Sequence, residues 1–184
     1  MGENPSQFKD DPQNPVEQVS WLDITDEFLP KFNALAPGLQ LELPTEAQWE
    51  YACRAGTTTP FSFGKQITTD QVNYDGNYPY AGGKKGEYRE KTVPVKALPA
   101  NPWGLHQMHG NVWEWCQDEY GEYPEGTAEN PVVHQDRKEK DRRRVLRGGS
   151  WINDARNCRS ALRNAIGPDG RNNLIGFRLA RRAC

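Results

Sequence analysis

Long apolar runs are missing from this chain. None approaches the roughly 20 residues that a membrane-spanning helix needs, and Met1 opens no charged n-region followed by an apolar h-region. Membrane insertion and a secretory leader are therefore not expected. The chain reads as cytoplasmic as written, with surface display through another chain left open. Cysteine is scarce: Cys53, Cys116, Cys158 and Cys184 are widely spaced, without a CxxC or Cys/His cluster. That spacing points to reduced, buried thiols rather than a disulfide framework or a zinc site. The three histidines, His106, His109 and His134, have no metal-ligand spacing and read as surface or loop residues. An excess of one charge is also absent, since the net charge is −2, so bulk electrostatics point to neither a polyanion nor a membrane surface. Aliphatic residues are thin and mean hydropathy is −0.91. Six Trp, seven Tyr and six Phe nevertheless speak against disorder. Aromatics must fill much of the core.

At 184 residues a single domain, 1–184, is the expectation, with room for a real core. Met1 to Val19 is polar and Pro-rich, an irregular entry. Ser20 or Asp23 can cap a helix running to about Ala36, with Pro30 denting its end. Leu39 to Leu43 alternates like a short strand. Thr45 and Gln48 form a capping-box pattern opening a helix to Arg54, closed by Gly56. From Thr57 to Pro102 loops with short strands are expected. Gly82 to Gly86 lacks P-loop spacing. Trp103 to Trp115 reads as a core element around a Gly-Asn turn, and Asp136 to Arg144 as a solvated charged loop. No internal repeat is present.

The rest is organised around the C-terminal stretch from Arg147-Gly148-Gly149-Ser150-Trp151 to Gly176-Phe177-Arg178. Between these blocks lie Asn153, Asn157, Asn164, Asn172 and Asn173 with Arg156, Arg159, Arg163 and Arg171. The run has no period of 2 or 3.6, and its Asn, Asp, Gly and Pro content favours turns and loops. Loops held between rigid blocks are where binding and catalysis concentrate.

Three segments together, Leu43 to Gly64, Asn101 to Trp115, and Arg144 to Arg178, closely resemble the formylglycine-generating-enzyme-like domain. The resemblance implies an α+β C-type lectin fold of the formylglycine-generating-enzyme subtype, loop-rich, with two helices and short antiparallel strands. By the same resemblance the domain looks shortened at its N-terminus, or started at an internal Met, with a homo-oligomer or partner chain as one way to compensate for the missing opening. The enzymatic branch oxidises a substrate cysteine with copper and oxygen, using cysteines at the second and seventh positions beyond the GGS[FW] aromatic. Here those positions are Asn153 and Cys158. Two thiolates are needed for linear binding of a soft cuprous ion, so the chain is expected not to be an enzyme. Cys158 then reads as a packed core thiol, and no redox cofactor is required.

The stretch from Arg144 to Arg178 resembles the variable region of a diversity-generating retroelement target protein. In that branch, error-prone copying at adenines rewrites Asn codons. By this resemblance residues 145–178 form the variable region. Its diversified positions would be Ile152, Asn153, Asp154, Leu162, Asn164, Ala165, Ile166, Gly167, Gly170, Asn172, Asn173 and Leu174. Changing only the adenines of an Asn codon cannot give Lys, Glu, Gln, Met or Trp, and none of these stands at the twelve positions. The twelve side chains should be exposed, because random substitution in a core costs roughly 2–5 kcal/mol. Trp151, Cys158, Ala161, Ile175 and Phe177 should anchor the loop, and Arg147, Arg159, Arg163, Arg171 and Arg178 brace it through carbonyls and carboxylates. Nucleic-acid binding is the alternative use of these arginines. It is disfavoured because stacking platforms and a recognisable motif are absent. The expected partner is a protein or other macromolecular ligand, with Ile152, Leu162, Ile166 and Leu174 as apolar anchors. The family further implies a structural calcium on Gln107, Gly110, Val112 and Glu114, with a less convincing second site near Asn73. A structural hydrogen bond is the competing role for Glu114.

Overall fold

The computed structural model describes residues 2–123, 125–135 and 142–181. Cys184 and most of the charged loop expected at Asp136 to Arg144 lie outside the described residues.

The first expected helix forms in two parts. A π-helical turn, Asp23–Phe28, runs into α1, Leu29–Leu35. Pro30 sits in the first turn of α1, not at the helix end as the sequence indicated. Proline has no N–H to return to the preceding turn, and the widened coil lies directly before it. The strand expected at Leu39 to Leu43 shortens to β1, Leu41–Glu42, which pairs antiparallel with β6, Ala180–Arg181. The capping box is complete at the start of α2, Glu46–Arg54: Thr45 Oγ1 accepts the Gln48 amide at 3.1 Å, and Gln48 Oε1 accepts the Thr45 amide at 2.9 Å. Ala55, rather than Gly56 alone, takes the left-handed stop, with φ 46°.

The main sheet has the order β4-β3-β2-β5: β2 is Trp113–Glu119, β3 Arg144–Arg147, β4 Arg163–Ile166 and β5 Ile175–Phe177. It is mixed rather than purely antiparallel, because β5 pairs parallel with β2, placing Trp113 opposite Ile175. Short strands expected before Pro102 are reduced to isolated bridges such as Phe61 with Gly64 and Asn73 with Gly110.

Strand alternation makes β2 the wall between two cores. Trp113 and Trp115 pack with Val19, Ile24, Leu43, Leu146 and Ile175. Cys116 turns the other way, into a cluster with Trp49, Cys53, Met108 and Val145. The aromatics do carry the interior, and their polar edges are satisfied. Trp115 Nε1 donates to Val19 O at 3.0 Å, and Trp21 Nε1 to Cys116 O at 3.0 Å. Among the described residues no helix is long and apolar enough to cross a membrane.

Candidate functional site

The Gly148-Gly149 pair turns the chain out of β3 with positive φ at both residues. A Cβ on Gly149 would stand 2.7 Å from Cys158 Sγ, so only glycine lets the turn close over that thiol. Asn153 holds the far side. Its Oδ1 accepts the Ser150 amide at 3.0 Å and the Ser150 hydroxyl at 2.8 Å. Of the two positions that bear cysteines in the enzymatic pattern, one is therefore an amide capping a turn. The other, Cys158, is fully buried, and burial raises its thiol far above the ordinary range. Cys53 is likewise buried and pushed up to about 12. Neither thiol is poised as a thiolate.

Residues 152–174 wind through a 3-10 turn, Ala155–Cys158, then β4, then a turn in which Gly170 N donates to Gly167 O at 3.0 Å. The run is thus less irregular than its composition indicates, since four of its residues complete the sheet edge. Of the twelve candidate positions, Ile152, Asn164 and Asn172 are exposed. Asn153, Asp154, Leu162, Ala165, Ile166, Gly167, Gly170, Asn173 and Leu174 are half-buried, and none is fully buried. Uniform exposure was expected and is not found. Leu162, Ile166 and Leu174 pack against the Trp113–Trp115 core, which leaves Ile152 as the exposed apolar side chain of the four. Ala161, expected as an anchor, is exposed; Trp151, Cys158 and Ile175 are buried and Phe177 half-buried.

What holds this loop is mostly its own backbone. Pro168 O accepts the Leu22 amide at 3.2 Å, Asn172 O the Gln18 amide at 3.0 Å, and Asn173 O the Trp151 indole N–H at 3.2 Å. Trp151 is flanked by Phe8 edge-on at 5.7 Å and by Tyr88 stacked at 6.3 Å.

The five bracing arginines behave as their positions imply. Arg147, fully buried, reaches Glu50 and the Ser160 and Leu162 carbonyls. Arg163 makes a bidentate pair with Glu46 at 2.6 and 2.7 Å and donates to Gly121 O, its guanidinium lying over Tyr120 and Tyr123. Arg171 bonds Asp23 at 2.9 Å, Arg178 bonds Glu114, and Arg159 bonds the Arg156 carbonyl at 2.8 Å. Sequence reasoning missed Glu46 and Glu50 as the acidic hub. Glu46 looks like an ordinary first-turn helix acid, and only the tertiary fold brings two arginines to it.

The calcium residues can be tested by their present partners. The turn carries left-handed residues at Gln107, Gly110 and Asn111, and a Cβ on Gly110 would lie 2.2 Å from Asn73 O. Gln107 keeps both amide atoms buried without a partner, as do Asn73 Oδ1 and Thr92 Oγ1. The oxygens among these, Gln107 Oε1, Asn73 Oδ1 and Thr92 Oγ1, are of a type that suits a hard cation, beside the main-chain oxygens of Gln107, Gly110 and Val112 that the family pattern uses. Glu114 is engaged: Trp49 Nε1 donates to it at 2.6 Å, and Arg178 grips both its oxygens at 3.0 and 2.8 Å. A guanidinium there opposes a divalent charge, so the donor set fits calcium only when Arg178 lets go. Val112 and Glu114 line the same cavity of about 370 Å³ as Gln107 and Arg178.

His109 departs from the surface role expected of it. It is buried between Phe61 and Phe63, its Nδ1 2.7 Å from the Cys158 carbonyl and its Nε2 accepting the Ser62 amide at 3.1 Å. Burial lowers its pKa to about 4, so the ring is neutral. His106 is half-buried with Nδ1 2.8 Å from Leu98 O, and His134 is exposed.

The family model of the sulfatase-modifying factor enzyme 1-like domain matches residues 1–183. The chain belongs to that family. A formylglycine-generating enzyme from Streptomyces coelicolor is 36% identical over 177 residues, covering 92% of this chain and 53% of the relative. The inactive Cα-formylglycine-generating enzyme 2 of Bos taurus is 32% identical over 174 residues, covering 90% and 50%. The chain thus spans about half the length of these family members. Among solved structures, Treponema denticola variable protein 1 superposes with a TM-score of 0.80 at 27% identity, covering all of this chain and 79% of that one. PvdO from Pseudomonas aeruginosa gives 0.77 at 28% identity, covering 94% and 64%. The fold is the C-type lectin fold in its formylglycine-generating-enzyme form.

Proposed function

We propose that this family member is a ligand-binding module without catalysis. Its C-terminal surface, at the twelve positions from Ile152 to Leu174, would be rewritten by retroelement-driven adenine mutagenesis to meet changing macromolecular ligands. The observation that carries this reading is the loop's suspension. It hangs on the carbonyls of Pro168, Asn172 and Asn173 and on arginines outside the twelve positions, so this attachment stays when an exposed side chain such as Ile152 changes. Asn153, Leu162, Ile166 and Leu174 also hold structure through their side chains and would tolerate a narrower range. The structural likeness to a variable protein of Treponema denticola supports it. Sequencing codons 145–178 across a population carrying the gene tests it. Substitutions confined to the twelve positions are expected, and an invariant stretch without an adjacent near-repeat would remove the proposal.

The oxidase reading is favoured by the 36% identity to a formylglycine-generating enzyme. Against it stands the Asn153 amide in place of a thiol. The protein should show neither tight cuprous binding nor oxygen uptake on a cysteine peptide, whereas Asn153→Cys should gain cuprous affinity; turnover by the unaltered protein would establish the enzyme instead. Calcium on Gln107, Gly110, Val112 and Glu114 belongs to the proposal in conditional form, with release of Glu114 by Arg178. A rise in Tm on calcium addition, larger for Arg178→Gln, is the expected sign; equal Tm with calcium and with chelator would exclude it.

A further inference from the structure

Beside the diversified loop lies a cavity of about 550 Å³ that the expectations from sequence did not use. It opens between the 77–81 segment and the 154–156 turn, which are zipped together by two backbone bonds. Asp75 N donates to Asn153 O at 2.9 Å and Ala155 N to Tyr78 O at 3.1 Å. Tyr78, 63% exposed, and half-buried Tyr80 provide its aromatic walls. Arg156 stands at the rim with 72% of its side chain exposed, bound through Nε to Asp154 at 2.7 Å.

The surroundings are basic. Gln66 Nε2 donates to Ala81 O at 2.9 Å, Gly86 N to Gly76 O at 2.8 Å and Gly76 N to Glu87 O at 3.2 Å, which ties residues 66 and 86–87 to the segment that forms one wall. Lys65, Lys84 and Lys85 there are all exposed. Half-buried Asp154 offsets Arg156, Asp70 is an exposed acid nearby, and Glu87 is paired with Arg89 at 2.9 Å. With Arg156 held by Asp154, three exposed lysines against Asp70 leave a positive surround to the two tyrosines. Asp75, within the zipped segment, is buried and accepts from Asn77.

Resting on the reading of this surface as a ligand-binding one, we propose that the cavity is an anion subsite taking the carboxylate of an acidic segment in a protein ligand. Arg156 and the lysines supply charge, and the tyrosine walls supply contact area. Residue 154 would set the strength of the subsite. As Asp it engages Arg156, and a neutral residue there frees the guanidinium. Because 154 is one of the positions proposed to diversify, a single codon would tune preference for acidic partners without altering the cavity.

Fluorescence polarisation of the whole chain with labelled poly-L-glutamate tests this at low and moderate salt. Binding that weakens with salt is expected, with a loss of about threefold to fivefold in Arg156→Gln and a gain of similar size in Asp154→Asn. Lys84→Ala with Lys85→Ala should weaken binding further, and the arginine and lysine variants should keep the parent's Tm, since those side chains are exposed. No binding, unchanged affinity in Arg156→Gln, or tighter binding of single-stranded RNA through the same residues would overturn the subsite. Failure of poly-L-glutamate alongside varied codons removes only the subsite. Invariant codons with intact, Arg156-dependent binding remove the diversified-surface reading and leave a fixed anion site.

Discussion

His109 gives the sharpest quantitative test of the packing around the loop. Its ring is buried, neutral, and bonded at both nitrogens, to Ser62 and to the Cys158 carbonyl. The folded pKa of about 4 lies below the ordinary histidine value of 6.5. A depressed histidine contributes stability that is present above the unfolded value and lost as pH falls toward the folded one. From these two values the contribution lost is about 2 kcal/mol by about pH 5 and roughly 3 kcal/mol by about pH 4. Glu17 and Asp118, both raised by burial, act in the opposite direction over the same range, so a single pH curve would understate the histidine. Urea denaturation of the protein and of His109→Gln across that range separates the two. The variant carries a cost that does not depend on pH, about 1–3 kcal/mol for imperfect replacement of the bonds. The parent's advantage should then fall by roughly 3 kcal/mol as pH drops, vanishing or reversing in sign near pH 4. A difference that stays constant, or an imidazole signal that titrates near pH 6.5 in the folded protein, would refute the neutral buried ring.

Glu17 is fully buried, with Oε2 unpartnered and its pKa raised. A raised carboxyl stabilises below its unfolded value and loses that contribution as pH rises through the folded one. Glu17→Gln should therefore have a higher Tm than the parent at neutral pH, with the gap closing in acid. Glu46→Gln removes the charge shared by Arg147 and Arg163 and turns one of its two acceptor oxygens into a donor facing them, and should cost about 3 kcal/mol in urea unfolding, whereas a loss under about 0.5 kcal/mol would mean the hub is solvated. Leu162→Ala should cost about 1–2 kcal/mol because its side chain meets the core, and Ile152→Ala less than about 0.5 kcal/mol. Equal costs would contradict the packing described. Asn153→Ala, which leaves the Ser150 amide without its acceptor, should lower stability by about 1–2 kcal/mol.

Local signals carried far in this chain. The Thr45–Gln48 box, the stop at residues 55–56 and the aromatic core were legible because each depends on neighbours in sequence or on plain burial. Two kinds of feature were not. The burial of Leu162, Ile166 and Leu174 depends on β4 docking at the sheet edge, and a four-residue strand embedded among Asn and Gly has no periodicity to announce it. The parallel seat of β5 on β2 likewise depends on the path of the intervening loop. His109 was misplaced because a histidine beside Gly110 looks like any turn residue. Its neighbours Phe61 and Phe63 are remote in sequence. At the site, the arginines were readable as braces, but their acid Glu46 was not.

The indole of Trp151 has an optical consequence. Its N–H is held by Asn173 O, its faces meet Phe8 and Tyr88, and its own exposure is 8%. Any occupant that shifts the 172–174 segment changes the polarity and hydrogen bonding of this indole, while Trp49 lies enclosed in the other core cluster. Trp103, 48% exposed beside Tyr51, is the main solvent-facing emitter. Replacing it with Phe would leave a molecule whose emission maximum reports engagement of the loop directly, without a label and whatever the chemistry of the occupant.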